Sequence, residues 1–261
     1  MFQLTPVARN LLIANVAILF LDYILNGVLS NWFALYYVGS DNFAPYQFIT
    51  YMFFHGGIGH LFGNMLALFF FGPWLERTWG PQRFFIFYMV CGVGAGLLYG
   101  IVQTFEMQML LADINAYKAA ADPDLFAAFI NEHAPYIYSD LYNFINGFAE
   151  NPESSSYIEQ SKSYLDQIYN RQANIPMVGA SGAIFAILLG FGMLFPNTQI
   201  FLLFPPIPIK AKYLVTFYGL YEVYALFQNS PTDNVAHLAH IGGMLFAFFF
   251  IRKWKNSGNY F

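Results

Sequence analysis

Six apolar runs, at residues 11–29, 57–74, 84–102, 181–195, 212–227 and 236–251, constrain this 261-residue chain more than any other feature. A helix that crosses a bilayer needs about 20 predominantly apolar residues, within a range of about 17–25. The first three runs reach that length. The fourth, fifth and sixth are short and reach it only by borrowing flanks or by starting below the membrane surface. Only 10% of residues are charged and 57% are hydrophobic, whereas a water-soluble domain carries about 25% charged residues. The excess apolar surface therefore faces lipid. The first run has no basic region followed by a small-residue cleavage site, so it is read as a retained helix rather than a signal peptide.

Net charge excludes one class of partner and helps to orient the chain. Eleven Lys and Arg against 15 Asp and Glu give −4, which is not the basic footprint of a nucleic-acid-binding protein. The single cysteine, Cys91, excludes an internal disulfide, and no Cys/His spacing suggests zinc. With the N-terminus inside, the inner segments hold 8 of the 11 basic residues (Arg9, Arg77, Arg83, Lys210, Lys212, Arg252, Lys253 and Lys255), while the outer segments 30–55 and 228–235 hold none. The positive-inside rule then predicts that both termini are cytoplasmic.

The expected organisation is helices one to three in residues 1–103 with an outer loop at 30–55, an acidic helical extramembrane insertion at 104–176, helices four to six in 177–252, and a short cytoplasmic tail at 253–261. The 73-residue insertion holds 10 of the 15 acidic residues and a balance of −7, leaving +3 for the rest. So long a loop without structure would be improbable, so several short amphipathic helices are predicted, with breaks at Asp122-Pro123, Ala134-Pro135 and Asn151-Pro152 and a capping box at Ser156 to Glu159. Its many aromatics suit a lid, interface packing, or a partner-binding module.

Polar groups inside spanning helices are costly and mark candidate sites. They are Asn15 and Asp22 in the first run, His60 and Asn64 in the second, Ser181 opening the fourth, Glu222 in the fifth, and His237 and His240 in the sixth, with His55 just ahead of the second. His60 and Asn64, four apart, share a helix face and could aim an imidazole N–H and a carboxamide at one point, or simply glue helices together. Ser181, within Gly179-Ala180-Ser181-Gly182, has an open approach and the free N–H groups of a helix start, as a nucleophile beside an oxyanion site needs. An N-cap serine among small packing residues is the other reading. Gly242 and Gly243 allow His240 to be held against a neighbouring helix, and a hydroxyl near an imidazole is the minimum activated nucleophile.

In order along the chain, His55-x4-His60-x3-Asn64-Met65, Gly179-x-Ser181-Gly182 and Ala239-His240-Ile241-Gly242-Gly243 resemble the motifs of rhomboid intramembrane serine proteases, over about residues 10–252. The resemblance implies an all-α, polytopic six-transmembrane-helix bundle in which Ser181 and His240 form a catalytic dyad with no third acid, set below the outer membrane surface in a water-filled cavity. Asn64, His60 and the Ser181 N–H would stabilise the oxyanion. No cofactor or metal is implied. The substrates would be single-span transmembrane proteins, reached within the lipid bilayer, and the expected location is a bacterial inner membrane. The aromatic loop at 32–51 corresponds to the family's membrane-embedded outer loop. Glu76-Arg77-x-Trp79-Gly80 resembles its inner turn, with a local ion pair expected there.

Phe185 departs from the tyrosine often found four residues after the serine; stacking on His240 is expected to survive. Gly243-x3-Ala247 replaces a Gly-x3-Gly pattern, and the long insertion is unusual. His237 is expected in the outer loop or at the cavity mouth, His55 as a structural hydrogen-bonder, and Glu222 facing the cavity or bonding a neighbour, with gating of the fifth helix held open. Two other readings compete: a client-binding pseudoprotease, and a proton or metal path through the histidines and Glu222. The first has no need of intact serine, histidine and oxyanion candidates. The second requires internal repeats and ligands across the whole bilayer, and neither is seen. No His-Glu-x-x-His is present for a zinc protease, and Asp22 alone cannot make an aspartyl dyad.

Overall fold

All six apolar runs lie mainly in helices in the computed structural model, which describes residues 3–201, 207–228 and 236–256. Eleven α-helices are found among the described residues: α1 (Pro6–Ile24), α2 (Val28–Phe33), α3 (Gln47–Thr50), α4 (Ile58–Trp79), α5 (Pro81–Ala119), α6 (Pro123–His133), α7 (Tyr142–Glu150), α8 (Ser155–Ala173), α9 (Ser181–Leu194), α10 (Ala211–Gln228) and α11 (His237–Asn256). A small antiparallel hairpin of β1 (Gln199–Phe201) and β2 (Pro208–Lys210), not expected from the sequence, joins α9 to α10, with Ile200 opposite Ile209. Three residues per strand are too few for an alternating pattern to register.

The 14 residues of α9 make a rod of about 21 Å, shorter than the roughly 30 Å hydrocarbon core. It is the central element. Gly182, Ala183, Ala186, Ile187, Gly190 and Phe191 are all buried, and α4, α5, α10 and α11 pack around it. Of its neighbours, α4 and α5 are long and apolar enough to cross a membrane, as is α1. Their outward faces carry exposed Ile13, Phe20, Phe62, Phe85, Leu97 and Ile101, a surface that only lipid satisfies. The protein is a polytopic helical membrane protein.

Several boundaries differ from the sequence reading. The first run is not one helix. It starts at Pro6, and the chain turns at Asn26 and Gly27, both with positive φ (53° and 80°), before α2. Asp22, expected as a costly group within the span, accepts a hydrogen bond from the Ser30 N–H (2.9 Å) and so satisfies one free donor of α2. Residue 104 is not a boundary either: α5 continues unbroken to Ala119, and its 39 residues extend about 58 Å, nearly twice the hydrocarbon thickness. The expected tail at 253–261 begins inside α11. Residues 257–261 and most of the outer segment 228–235 lie outside the described residues.

The projecting half of α5 packs with α6, α7 and α8 around a second apolar core that includes Ile114, Phe126, Ile130, Phe148 and Leu165. Its helices are less uniformly short than expected, because α8 has 19 residues. Asp122 caps α6 by accepting from the N–H groups of Asp124 (2.9 Å) and Leu125 (3.2 Å). The expected capping box does not form. Helix α8 starts one residue before Ser156, with Ser154 at its N-cap and no side-chain cap bond.

The insertion is tied to the outer loop. Leu35 and Met177 exchange backbone hydrogen bonds (2.9 and 2.8 Å), and the side-chain Oδ1 of Asn174 accepts from Ser40 Oγ (2.7 Å) and Asn42 Nδ2 (2.8 Å). Inside that loop the buried Gln47 amide donates to the carbonyls of Trp32 (3.1 Å) and Asn42 (2.8 Å). These bonds hold a segment otherwise low in regular structure against the top of the bundle.

The expected local pair of Glu76 and Arg77 is replaced by contacts with the N-terminal segment. The buried Glu76 carboxylate accepts from Thr5 Oγ1 (2.5 Å) and from the N–H groups of Val7 (3.0 Å) and Ala8 (2.9 Å), and Arg77 donates to the Gln3 carbonyl. Neighbours in sequence at i and i+1 do not face each other on a helix, so the carboxylate is free to cap α1 instead.

Candidate active site

Gly182 and Gly243 bring the backbones of α9 and α11 into direct contact: a methyl group on Gly243 would lie 1.9 Å from the Gly182 carbonyl oxygen. Gly242 is close-packed against α5, where a methyl group would lie 3.2 Å from the Ala95 Cα. These contacts put Ser181, one residue before Gly182, beside the start of α11. One turn into α9, Phe185 stacks on the buried His240 ring at 4.2 Å and 12° between planes. Ser181 is half-buried, and the first N–H of α9 engaged within the helix is that of Ile184, donating to Ala180 (3.0 Å). The N–H groups of Ser181, Gly182 and Ala183 thus stand at the positive end of the helix without an intrahelical partner.

From the other side comes α4. Its His60 ring lies against the turn that precedes Ser181. A methyl group on Gly179 would sit 2.8 Å from His60 Nε2 and 3.6 Å from Ser181 Oγ. Gly179 has φ of +130°, a conformation open to glycine, and its N–H donates to the Tyr51 carbonyl (3.0 Å), anchoring the turn to the outer loop. His60 Nδ1 accepts a long hydrogen bond from the Gly56 N–H (3.4 Å), so the ring proton resides on Nε2, facing the turn. One turn further along α4, Asn64 is buried and its Nδ2 has no hydrogen-bond partner among the described residues. A buried unpaired amide is costly, and a ligand oxygen would relieve that cost.

His55 packs its ring against His60 at 5.1 Å between centroids. Burial, reinforced by the neighbouring His60, pushes His55 down to about 4, so at neutral pH it is uncharged.

The site contains a third group that the resemblance did not imply. Glu222 of α10 is buried, and its Oε2 lies 2.8 Å from His240 Nδ1 and 2.6 Å from His237 Nδ1. His237, expected in the loop or cavity mouth, is the first residue of α11 and is buried. Glu222, His237 and His240 each offer one ligand atom, all within 4.8 Å of one another, a spacing that a metal ion could use. The sequence marked Glu222 as expensive in a spanning helix but could not name its partners.

The sequence model of the rhomboid domain matches residues 42–111 and 155–254, well over half of the chain. The chain belongs to the rhomboid family. This rhomboid is also 25% identical over 242 residues to "RHOMBOID-like protein 12, mitochondrial" of Arabidopsis thaliana, an alignment that covers 91% of the chain and 55% of the relative. It therefore spans about half the length of that relative. The matched stretches contain His60, Asn64, Ser181, Glu222, His237 and His240, and they omit 112–154, so α6 and α7 are additions to the family pattern.

The structure brings Ser181, His60 and His240 together around α9 and places Asn64 one turn from His60. Ser181 Oγ makes no side-chain hydrogen bond among the described residues, His240 included; such bonds are often loose before substrate arrives.

Proposed function

We propose that this rhomboid is an intramembrane serine endopeptidase that uses Ser181 as nucleophile and His240 as base, on membrane proteins with a single span. The observation that carries the reading is the Gly182–Gly243 contact with Phe185 stacked on His240, which gives serine and imidazole one fixed relationship at a helix N-terminus. His240 takes the proton from Ser181 Oγ as it bonds to the peptide carbonyl carbon. The protonated ring then delivers the proton to the departing amine as the C–N bond breaks. Water, deprotonated by the same ring, hydrolyses the ester and returns the serine.

Charge on the tetrahedral oxygen is met by the unpaired Asn64 amide, by His60 Nε2–H and by the Ser181 N–H. Loss of one such donor typically costs about 10²–10³ in rate. An apolar cavity of about 680 Å³ lies between α4, α9 and α10, lined by Phe70, Trp74, Leu188, Phe191, Leu214 and Tyr218 and reaching β1 beyond the far end of α9; Ser181 and His240 are not among its walls. The six helical runs are read as six spans with both termini on the cytoplasmic side, which leaves the insertion and the site on the outer face.

Cleavage of a single-span reporter by the purified protein in liposomes tests this. Wild type cuts, and Ser181→Ala and His240→Ala do not while keeping their helical content. Equal cutting by all three, or none by wild type across a panel of spans, overturns it.

A further inference from the structure

Glu222 sits on the most lipid-exposed helix of the bundle, where Phe217 and Leu220 are each 66% exposed and Tyr224 is 61% exposed, yet it is itself only 4% exposed. A carboxylate turned inward from such a helix is retained only with strong partners, since an unpaired one costs several kcal/mol. Its partners are two imidazole nitrogens on one oxygen, at 2.8 Å for His240 and 2.6 Å for His237. A carboxylate oxygen has lone pairs for both and only accepts, so each Nδ1 carries a proton toward it.

Resting on the proteolytic reading above, we infer that Glu222 is a positioning residue that completes a Ser181–His240–Glu222 triad, where the rhomboid pattern implies a dyad. With Nδ1–H given to Glu222, His240 keeps its lone pair on Nε2, the tautomer that can accept the serine proton. Phe185 stacked on one face and the carboxylate at the ring edge fix its rotation. When His240 becomes imidazolium, the adjacent negative charge stabilises it, as the acid does in soluble serine hydrolases. Among the described residues, the charged or titratable groups around His240 are Glu222 from α10, His237 from its own helix and His60 from α4; α9 contributes the neutral Phe185. His237 is the second donor that keeps the carboxylate in place.

The test uses the full chain in liposomes and two readouts: the rate at which a fluorophosphonate labels Ser181, with the Oγ–P bond forming as fluoride leaves, and kcat and KM on the reporter. Glu222→Gln is expected to slow labelling and lower kcat by at least about 100-fold, with KM changed less than about threefold; loss of a triad acid elsewhere costs about 10⁴. Glu222→Asp recovers part of the loss, and His237→Asn stays within about tenfold of wild type. Independently of activity, wild type gives a far-downfield His240 Nδ1–H proton resonance that Glu222→Gln abolishes.

Wild-type rates in Glu222→Gln overturn the triad alone. So does equal loss in Glu222→Gln and His237→Asn together with a lowered melting temperature, which would make the cluster a structural latch. Wild-type activity that a chelator abolishes and zinc restores would make it a metal centre and also overturn it. A wild type that neither labels nor cuts defeats the proteolytic reading first and this one with it.

Discussion

Glu76 binds the start of α1 through three hydrogen bonds, two of them to N–H groups that a helix start leaves unpaired. Glu76→Ala strands those donors in a buried site and is expected to cost about 2–4 kcal/mol, read as a lower melting temperature in detergent with Ser181 labelling retained before unfolding. Gly243 tolerates no side chain, with the Gly182 carbonyl 1.9 Å from where a methyl group would stand. Gly243→Val is expected to separate α9 from α11, abolishing labelling even where circular dichroism stays helical. His55, held at about 4 against an unfolded value of about 6.5, is neutral in the folded protein while the unfolded chain takes up a proton. Its contribution is whole above pH 6.5 and declines as pH falls toward 4. Melting temperatures of wild type should drop more between pH 7 and pH 4.5 than those of His55→Asn, and parallel curves would contradict the assignment. Among single residues, the candidates for the site stand out in the sequence, though what they do is proposed rather than read from it. Ser181, His240 and the glycines carry short local motifs, and the stacking of Phe185 follows from a four-residue spacing. The partners of Glu222 were not legible. They lie 15 and 18 residues away in sequence, and nothing local says which helix face meets which.

At the scale of elements, hydropathy locates helices by their apolar stretch and is blind to where a helix continues into water. Helix α5 is the case in point: its apolar run ends near residue 102, but α-helical residues with an amphipathic face carry it on to Ala119. Likewise the first run reads as continuous because Leu25 and Val28 flank the turn at Asn26 and Gly27 with apolar side chains. Breaks at Asp122-Pro123, Ala134-Pro135 and Asn151-Pro152 all fall between elements, since proline fixes them independently of tertiary context. The insertion has its own core, apart from that of the bundle, with Phe126 fully buried at its centre. Phe126→Ala is expected to destabilise it by about 3–5 kcal/mol. Limited proteolysis should then cut between 120 and 154 at least ten times faster, while Ser181 labelling changes less than about threefold. A parallel loss of labelling would make the insertion part of the catalytic machinery.

For the whole molecule, charge and length point to one arrangement in the membrane. The +3 body keeps its basic residues at one level, and α5, about 58 Å long, carries a −7 insertion beyond the other. Cys91 is buried, so the native thiol is silent to an impermeant maleimide and single cysteines can be scanned. Glu153→Cys is expected to react from the outer side of intact cells or right-side-out vesicles, and Lys253→Cys only after the membrane is opened; the reverse pattern would invert the proposed topology. The fold class was legible because lipid dictates continuous helices, whereas the order of packing around α9 depends on contacts that no single run encodes. The proposed chemistry converges on one short rod, α9, which sets Ser181 beside the start of α11. Mapping the adduct site by mass spectrometry after fluorophosphonate treatment tests this most directly. The account predicts an adduct on the Ser181 peptide in wild type and none in His240→Ala. An adduct on another residue, or equal labelling of Ser181 without His240, would contradict it.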